Sequence, residues 1–148
     1  MAGKDKTERG FRIYWDEAGG TPRDLTADLV PGSISGGGLS YDEADMTGVS
    51  QKVRHYLVGH ASSEVVGNFH MNDTATTGAT TVLNATQGLP GTLTLQWGAN
   101  GAAPTTGDII WSGEYILISM NIQLDGNKHV HACRWLPTGT SDPDFDTL

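Results

Sequence analysis

The sequence lacks a second cysteine and lacks any long hydrophobic run. Because Cys133 is the single cysteine, an internal disulfide is impossible and a disulfide-stapled secreted fold is excluded. The most apolar stretch, residues 109–124, is interrupted by polar side chains and falls short of the roughly 20 apolar residues of a membrane span. The start of the sequence has no apolar segment of signal-peptide length. We therefore expect a soluble protein of a reducing compartment, with no membrane partner.

Positive charge is also scarce. Nine Lys and Arg residues against 17 Asp and Glu residues give a formal net charge of −8 and a pI of about 4.8. An acidic surface repels phosphate backbones, so a role in gripping DNA or RNA is disfavoured. The same charge is compatible with a wall past which nucleic acid slides.

Charge of either sign is missing from residues 74–107, which contain no Asp, Glu, Lys or Arg. Surface loops of monomers usually carry charged residues, so this stretch predicts a surface that becomes buried in an assembly. The alternative is a set of neutral, Thr-rich loops.

No recognisable catalytic constellation is present, and we expect no catalytic residue, no cofactor and no metal. His129, His131 and Cys133 share one strand face, but same-face neighbours lie ~6.6–7 Å apart, which is awkward for three ligands of one ion. The acidic clusters at residues 42–45 and 142–146 lack the glycine and distal glutamate of a calcium loop. Histidines on the surface beside a buried thiol, and solvated acidic loops, are the preferred interpretations.

The four tryptophans have two interpretations. They could form a platform for carbohydrate, or they could pack in the core or in an interface, which is the commoner fate of tryptophan in strand-like runs. The residues are Trp15, Trp97, Trp111 and Trp135.

What the sequence does have is glycine, threonine and serine, which favour strands and turns. We expect one mainly β domain over residues 1–148, with a charged N-terminal arm at 1–9 and a loose acidic tail at 138–148. Alternating apolar residues predict strands at residues 11–15, 25–30, 63–72 and 92–97. The glycines at 36–38 predict a bulge or tight bend, or else a flexible loop.

The strongest strand pattern covers residues 109–124, and Asp125-Gly126 predicts a hairpin that returns through residues 129–136. Strict alternation places five apolar residues on one face, namely Ile116, Ile118, Met120, Ile122 and Leu124. It places Tyr115, Leu117, Ser119, Asn121 and Gln123 on the other. A long hairpin with one apolar and one polar face suits a wall that has water on one side.

A helix is predicted over residues 49–58. Val49, Val53, Tyr56 and Leu57 form one apolar stripe at helical spacing, with Thr47 as the N-cap and Gly59 as the C-terminal cap. A second, single helical turn is predicted at residues 81–86.

Several short motifs occur in an order that resembles the tail tube, or major tail, proteins of long-tailed bacteriophages. In that family an Asp-x-Thr element leads into a helix, and a glycine after the helix precedes a strand with a Gly-x-aromatic element. The resemblance covers roughly residues 11–72. Its motifs are Asp24-Leu25-Thr26, Ile34-Ser35, Asp45-Met46-Thr47, Tyr56-Leu57-Val58-Gly59 and Gly67-Asn68-Phe69.

The resemblance implies a two-sheet β-sandwich flanked by one short helix, with extended loops or arms. It implies a structural virion protein whose copies form hexameric rings that stack into a tube, with DNA as passing cargo. The implied partners are further copies and other tail proteins at the tube ends, and the implied location is the virion tail, assembled in the host cytoplasm.

Two sets of residues follow as candidates. The arm at 1–9, the loop at 19–40 and the acidic tail are candidates for ring-to-ring contacts. Candidate inter-subunit contacts are Arg12, Trp15, Leu25, Leu29, Leu39, Tyr41, Met46, Val49, Val53, Tyr56 and Leu57. The long hairpin is the candidate lumen lining, through Ser119, Asn121, Gln123, Asp125 and Lys128.

Other functions remain open at this point. A phage head-completion protein, a capsid decoration protein or a terminal ring of the tail would also be a small β domain with extended arms. A β-sandwich module that binds a carbohydrate or another ligand is the alternative outside virions.

Overall fold

The computed structural model describes residues 6–17 and 20–148. In that part of the chain ten strands form two sheets and one α-helix accompanies them, which confirms the mainly β, sandwich-like architecture. In chain order the elements are β1 (Lys6–Glu17), β2 (Arg23–Asp24), β3 (Ser35–Gly36), β4 (Ser40–Asp45), β5 (Tyr56–Ser62), β6 (Val65–His70), α1 (Ala79–Thr86), β7 (Pro90–Ala99), β8 (Ile109–Asp125), β9 (Lys128–Pro137) and β10 (Asp144–Thr147).

The larger sheet has the strand order β2-β1-β7-β8-β9-β6-β3, and β10 pairs with the first residues of β8. Residues 25–30 connect its two sides. The Leu25 N–H donates to the Ile13 carbonyl at 3.0 Å, and the Val30 N–H donates to the Asn68 carbonyl at 2.9 Å. These bonds join β1 to β6 and close the sheet into a barrel-like body, which we call the body.

The strand predicted at residues 25–30 is wrong, because side-chain hydrogen bonds draw this segment into a 3-10 turn at Thr26–Asp28. The Thr26 N–H donates to Asp24 Oδ1 at 2.9 Å. Thr26 Oγ1 in turn accepts the Ile13 N–H at 3.0 Å. Short polar side chains that bond the nearby backbone favour such turns over strands.

The core lies inside the body and is rich in aromatic rings. Trp15, Trp111 and Trp135 are 0–1% exposed. The Trp135 ring meets Trp15 edge-on at 6.0 Å and Phe69 at 5.9 Å. Trp97 is half-buried and packs against the same cluster. The core interpretation of the tryptophans is therefore confirmed, and the buried rings are closed to a carbohydrate.

Several polar atoms inside this core are paired with one another, whereas Trp135 Nε1 is buried without a partner among the described residues. Trp111 Nε1 donates to the Tyr115 hydroxyl at 2.9 Å, and that hydroxyl lies 2.8 Å from Ser63 Oγ. Trp15 Nε1 donates to Thr86 Oγ1 at 2.9 Å. Buried donors without partners are costly, so these bonds fix how the large rings sit.

Helix α1 covers one side of the body and includes the helical turn predicted at 81–86. Its buried residues are Ala79, Val82, Leu83 and Thr86. A carboxylate from another segment caps it, because Asp28 Oδ2 accepts the Ala79 N–H at 3.0 Å. The Asn72 amide donates to both Asp28 oxygens at 3.1 Å.

The uncharged stretch at residues 74–107 has a local explanation in this fold. It includes α1 and all of β7, a central strand that pairs with both β1 and β8. Leu83, Leu93 and Leu95 from this stretch are buried in the core. Burial inside the subunit therefore accounts for part of the missing charge, and burial of the remainder in an assembly stays a prediction.

The helix predicted at residues 49–58 is wrong: this segment is the loop and returning strand of the β4–β5 hairpin. Thr47 does not cap a helix. Its Oγ1 accepts the His55 N–H at 2.8 Å, and the Met46 N–H donates to the His55 carbonyl at 2.8 Å. These bonds across the loop close a hairpin, and the aromatic and β-branched residues of β5 suit a strand.

The long β8–β9 hairpin is confirmed, but its faces change partway along β8. Leu117 pairs with Trp135 and Ser119 pairs with Arg134, so Ile118 is an extra, unpaired residue. Such a β-bulge shifts the alternation by one residue. Tyr115 and Leu117 therefore face the core, whereas Ser119, Asn121 and Gln123 share the opposite face with Arg134. The single polar face predicted for these five β8 residues is wrong.

The turn of this hairpin lies one residue later than predicted. Asp125 pairs with Lys128, so Gly126 and Asn127 are the two central residues. Gly126 has φ 63°, which fits the glycine-first turn of two-residue hairpins. The predicted bend at residues 36–38 is confirmed, since all three glycines have positive φ and a Cβ on Gly36 would lie 1.8 Å from the Glu64 carbonyl oxygen.

Both chain ends contribute strands. Lys6 to Arg9 of the predicted arm belong to β1, and residues 1–5 lie outside the described residues. The predicted loose tail is wrong, because β10 pairs with β8 and the Leu148 N–H donates to the Asp108 carbonyl at 2.8 Å. Pro143 packs on Gly113, where no side chain stands in the way.

Candidate assembly surfaces

One segment projects from the body without a core of its own. It consists of β4, β5 and the loop between them, residues 40–62, which we call the projecting hairpin. Within the described part of the chain its strands pair only with each other, and every residue in it is exposed except Thr47, which is half-buried. Its exposed apolar side chains are Tyr41, Met46, Val49, Val53, Tyr56, Leu57 and Val58. Apolar surface of this extent is typical of a contact site for another protein.

The loop of the projecting hairpin is held by a carboxylate at its base. Asp45 Oδ1 accepts the Thr47 N–H at 2.9 Å, and Asp45 Oδ2 lies 2.7 Å from Arg54 Nη1. The hydrogen bonds from Thr47 and then the Arg54 guanidinium lower the pKa of Asp45. We call residues 46–55 the tip. The tip contains Lys52 and Arg54 and no carboxylate.

The end of the long hairpin is a second exposed surface. Beyond the bulge, Ile122 is 70% exposed and Leu124 is 62% exposed, on the face that continues the core side of β8. Asn121 and Gln123 are exposed on the other face. The hairpin therefore leaves the body with one apolar and one polar face, both open to solvent.

Backbone groups are open at the same places. The residues of β8 from 118 to 125 pair with β9 on one side, and their other side has no partner strand within residues 6–17 and 20–148. The outer sides of β4 and β5 are equally unpaired in the described chain. Open strand edges are templates for pairing with another chain.

A concave, acidic surface lies where β10 crosses the start of β8, and we call it the acidic groove. Its volume is about 390 Å³. Its lining residues include Ser112, Glu114, Asp142, Asp144, Phe145 and Asp146. Phe145 is 57% exposed although its ring meets Trp111 edge-on at 4.7 Å. The groove therefore brings carboxylates together on one face of β10, while the Phe145 ring lies on the other face with Trp111.

The predicted contact residues divide into two groups. Trp15 and Leu25 lie in the core at 0% and 1% exposure, so their prediction as inter-subunit contacts is wrong. Leu29 packs against the core and Arg12 is half-buried beside it. The others are exposed, namely Leu39, Tyr41, Met46, Val49, Val53, Tyr56 and Leu57.

The candidate lumen residues all lie on the long hairpin. Ser119 is half-buried, and Asn121 and Gln123 follow it on the same exposed face. Asp125 and Lys128 flank the turn, with Asp125 Oδ2 and Lys128 Nζ 4.0 Å apart. Whether this face lines a lumen stays a prediction.

Exposed apolar residues outside the predicted contact and lumen sets include Val58, Ile118, Ile122, Leu124 and Phe145. Ile122 and Leu124 continue an alternating apolar row, which is the same signal that a buried strand gives. The sequence offers no cue that this row extends past the body, because only the neighbouring strands decide where the core ends.

The histidine and cysteine residues of β9 do not form a metal site. His131 Nε2 lies 2.8 Å from Thr80 Oγ1 of α1, and burial lowers the pKa of His131. Cys133 is buried, which raises the pKa of its thiol to about 12 and keeps it un-ionised at neutral pH. Within the described residues no group of three or more His, Cys, Asp or Glu side chains is placed to hold a metal ion. The described helix is also too short to cross a membrane.

Comparison with known proteins gives a structural answer only. Neither a protein family nor a curated protein matches the chain in sequence. A chain from the cryo-EM structure of the anti-feeding prophage baseplate, 6-fold symmetrised, is similar with a TM-score of 0.62 at 12% identity, over 93% of this chain and 91% of that one.

Two further structures are similar over nearly the whole chain. A chain from the tail of an empty GTA particle with C6 symmetry has a TM-score of 0.59 at 16% identity, over 93% of this chain and 97% of that one. A chain from the PVC sheath–tube complex, an extracellular contractile injection system in its extended state, has a TM-score of 0.60 at 13% identity, over 98% and 93%. This chain therefore has the fold of subunits found in phage-tail-like particles.

Proposed function

We propose that this chain is a structural subunit of a phage-tail-like particle, whose copies form rings that stack into a tube. The observation that carries the proposal is the projecting hairpin, an exposed apolar element that a subunit working alone would not need. The fold likeness adds the kind of assembly, since similar chains occur in tail, baseplate and sheath–tube structures, two of them described with six-fold symmetry.

The long hairpin is the proposed wall of the tube. Its free β8 edge would pair with a strand of the neighbouring subunit, and the two faces of the hairpin would then have different surroundings. Ile122 and Leu124 would pack against neighbouring protein, and Ser119, Asn121 and Gln123 would line the lumen. In a long-tailed phage the cargo would be DNA, and a net charge of −8 would favour passage over adhesion.

We expect no catalysis from this chain. Its one thiol, on Cys133, is buried, and His131 is hydrogen-bonded to Thr80. Its proposed partners are further copies of itself and other tail proteins at the ends of the tube.

A second role is favoured by one comparison. The baseplate chain in the anti-feeding prophage structure has this fold, so a single ring at the end of a tube is the alternative. The two roles differ in whether rings stack without limit.

Assembly of the purified protein tests the proposal. The protein is concentrated stepwise and followed by light scattering and negative-stain electron microscopy. Tubes or stacked rings with a central hole are expected, and single rings would favour the end-ring role. A monomer of 15.7 kDa at every concentration, with or without added tail proteins, would contradict both.

A matched pair of variants shows whether the projecting hairpin carries the assembly. Substituting Val49, Val53 and Leu57 with Ser removes exposed apolar surface and is expected to abolish assembly while leaving the unfolding midpoint unchanged. Asn84→Ser with Gln87→Ser, at exposed positions on and after α1, is the control and should assemble as the parent does. Loss of assembly in the control would point to a general effect of substitution.

A further inference from the structure

We propose that the tip of the projecting hairpin docks in the acidic groove of a second copy of this chain. The inference rests on the proposed assembly and names which two surfaces meet in it. Both surfaces are exposed in the single subunit, and they carry opposite charge.

The tip carries positively charged side chains on a protein whose net charge is negative. Two of the nine Lys and Arg residues, Lys52 and Arg54, lie in the tip, whose ten residues include no Asp or Glu, while the whole chain has a net charge of −8. Asp45, at the base of the tip, pairs with Arg54. Val49 and Val53 are exposed beside them. The tip therefore offers two cationic groups together with two small apolar side chains.

The acidic groove presents the opposite set. Glu114, Asp142, Asp144 and Asp146 bring four carboxylates to its lining, and no Lys or Arg is among the described residues that line it. The Phe145 ring lies on the other face of β10, against Trp111. The carboxylates would receive Lys52 and Arg54.

The contact has to be made between copies. In the free subunit Arg54 is paired with Asp45 of its own hairpin, and β4 and β5 pair only with each other. The groove is built from β8, β10 and the segment before β10. A contact in which one copy contributes the tip and the next copy contributes the groove is heterologous, and such contacts generate rings or open stacks.

The Arg54–Asp45 pair does not oppose the docking. Both side chains are well exposed, at 70% and 41%, and exposed pairs are held weakly. Arg54 can therefore exchange Asp45 for a groove carboxylate. The docked charges are screened by salt, so assembly should weaken as ionic strength rises.

Charge reversal tests the pairing directly. Lys52→Glu with Arg54→Glu reverses the tip, and Asp142→Lys with Asp144→Lys reverses the groove. Each reversal alone is expected to reduce assembly at least tenfold by sedimentation, and the four substitutions together should restore it. The control is Arg134→Glu with Glu64→Arg, which reverses an exposed pair on the body and keeps its two charges opposite.

Crosslinking tests the geometry. Val53→Cys and Asp144→Cys in one chain are expected to give a ladder of disulfide-linked subunits on mild oxidation. The buried native Cys133 stays unreactive. Val53→Cys with Gln87→Cys is the control and should give no ladder.

The outcomes separate this inference from the proposed function. If the parent protein forms tubes or rings, but the four substitutions do not restore assembly and no ladder forms, the tip–groove contact is refuted and the assembly stands. If the parent stays monomeric under all conditions, the proposed function fails and this contact fails with it. Restoration together with a ladder specific to Val53→Cys and Asp144→Cys supports the contact.

Discussion

The body and the projecting hairpin use similar apolar residues for different purposes. In the body, apolar rings and Leu side chains lie at 0–5% exposure inside a sheet closed on itself. In the projecting hairpin every apolar side chain is exposed, and Val49 is fully exposed. A two-stranded hairpin is marginal on its own in water. The comparison teaches that the body has a core of its own, whereas the projecting hairpin has none and, under the proposed function, would be covered by another subunit.

The largest test of this contrast replaces one aromatic residue in each region. Trp135→Ala removes a fully buried ring that contacts Trp15 and Phe69, and a loss of about 3–5 kcal/mol in the free energy of unfolding is expected. Tyr56→Ala in the projecting hairpin should change it by no more than about 0.5 kcal/mol. Both are measured by urea unfolding, and equal losses would break the contrast.

A second comparison removes one tyrosine hydroxyl group from the body and one from the projecting hairpin, and its expected effect is smaller. Tyr115→Phe leaves Trp111 Nε1 and Ser63 Oγ without their shared partner, which is expected to cost about 1–3 kcal/mol. Tyr41→Phe removes an exposed hydroxyl from β4 and should leave the unfolding curve unchanged. A stable Tyr115→Phe variant would mean that another group satisfies the buried donor.

The cap of α1 is expected to have a more moderate effect. Asp28→Ala removes the acceptor for the Ala79 N–H and for the Asn72 amide, and a loss of about 1–2 kcal/mol is expected. Asp73→Ala, at an exposed position nearby, is the matched control. Circular dichroism of α1 and urea unfolding check the result, and equal stability of the two variants would contradict it.

Acidification should act on the body through His131. Burial lowers the pKa of His131 in the folded state below its ordinary 6.5. As pH falls through about 6.5, the unfolded chain binds the proton first, so stability decreases below that pH. The pKa values of Asp45 and Asp108 are also lowered from their ordinary 3.8. The stability that these two carboxylates contribute is therefore lost only at a more acidic pH, as pH falls below 3.8.

Thermal unfolding at pH 7.5 and pH 5.5 measures this effect. His131→Gln should narrow the difference between the two midpoints, whereas His60→Gln on the exposed strand β5 should leave it unchanged. An unchanged difference in His131→Gln would assign the pH response to another group.

The smallest expected effect is at an exposed ion pair. Arg54→Ala breaks the 2.7 Å pair with Asp45, and Arg134→Ala breaks the 3.0 Å pair with Glu64 on the body. Neither should change the unfolding midpoint measurably, because exposed pairs contribute little. Only Arg54→Ala should weaken assembly, and weakening by both would show that assembly responds to net charge alone.

Much of the body could be predicted from local pattern. Alternation correctly predicted strands within β1, β6, β7 and β8, and the glycine after Asp125 correctly predicted the long hairpin and its returning strand β9. Strand alternation and turn glycines are properties of neighbouring residues, which is why they can be read without a partner. The burial of the tryptophans followed from their place in these strands.

The errors share a physical cause, which is that a partner outside the local sequence decided the outcome. The stripe of Val49, Val53, Tyr56 and Leu57 has helical spacing, but pairing with β4 and bonds across the loop made it a hairpin. The tail at 138–148 looked loose because its partner, the start of β8, is about thirty residues earlier in the chain.

The sequence by itself determined that this protein is mainly β, acidic, free of disulfides and built around a long hairpin. Only the tertiary structure decided which apolar residues are covered. The bulge at Ile118 turned Ser119, Asn121 and Gln123 away from the core side, and Ile122 and Leu124 are exposed because the hairpin extends past the neighbouring strands. Burial depends on where the neighbouring strands end, and that is a property of the whole sheet rather than of any one segment.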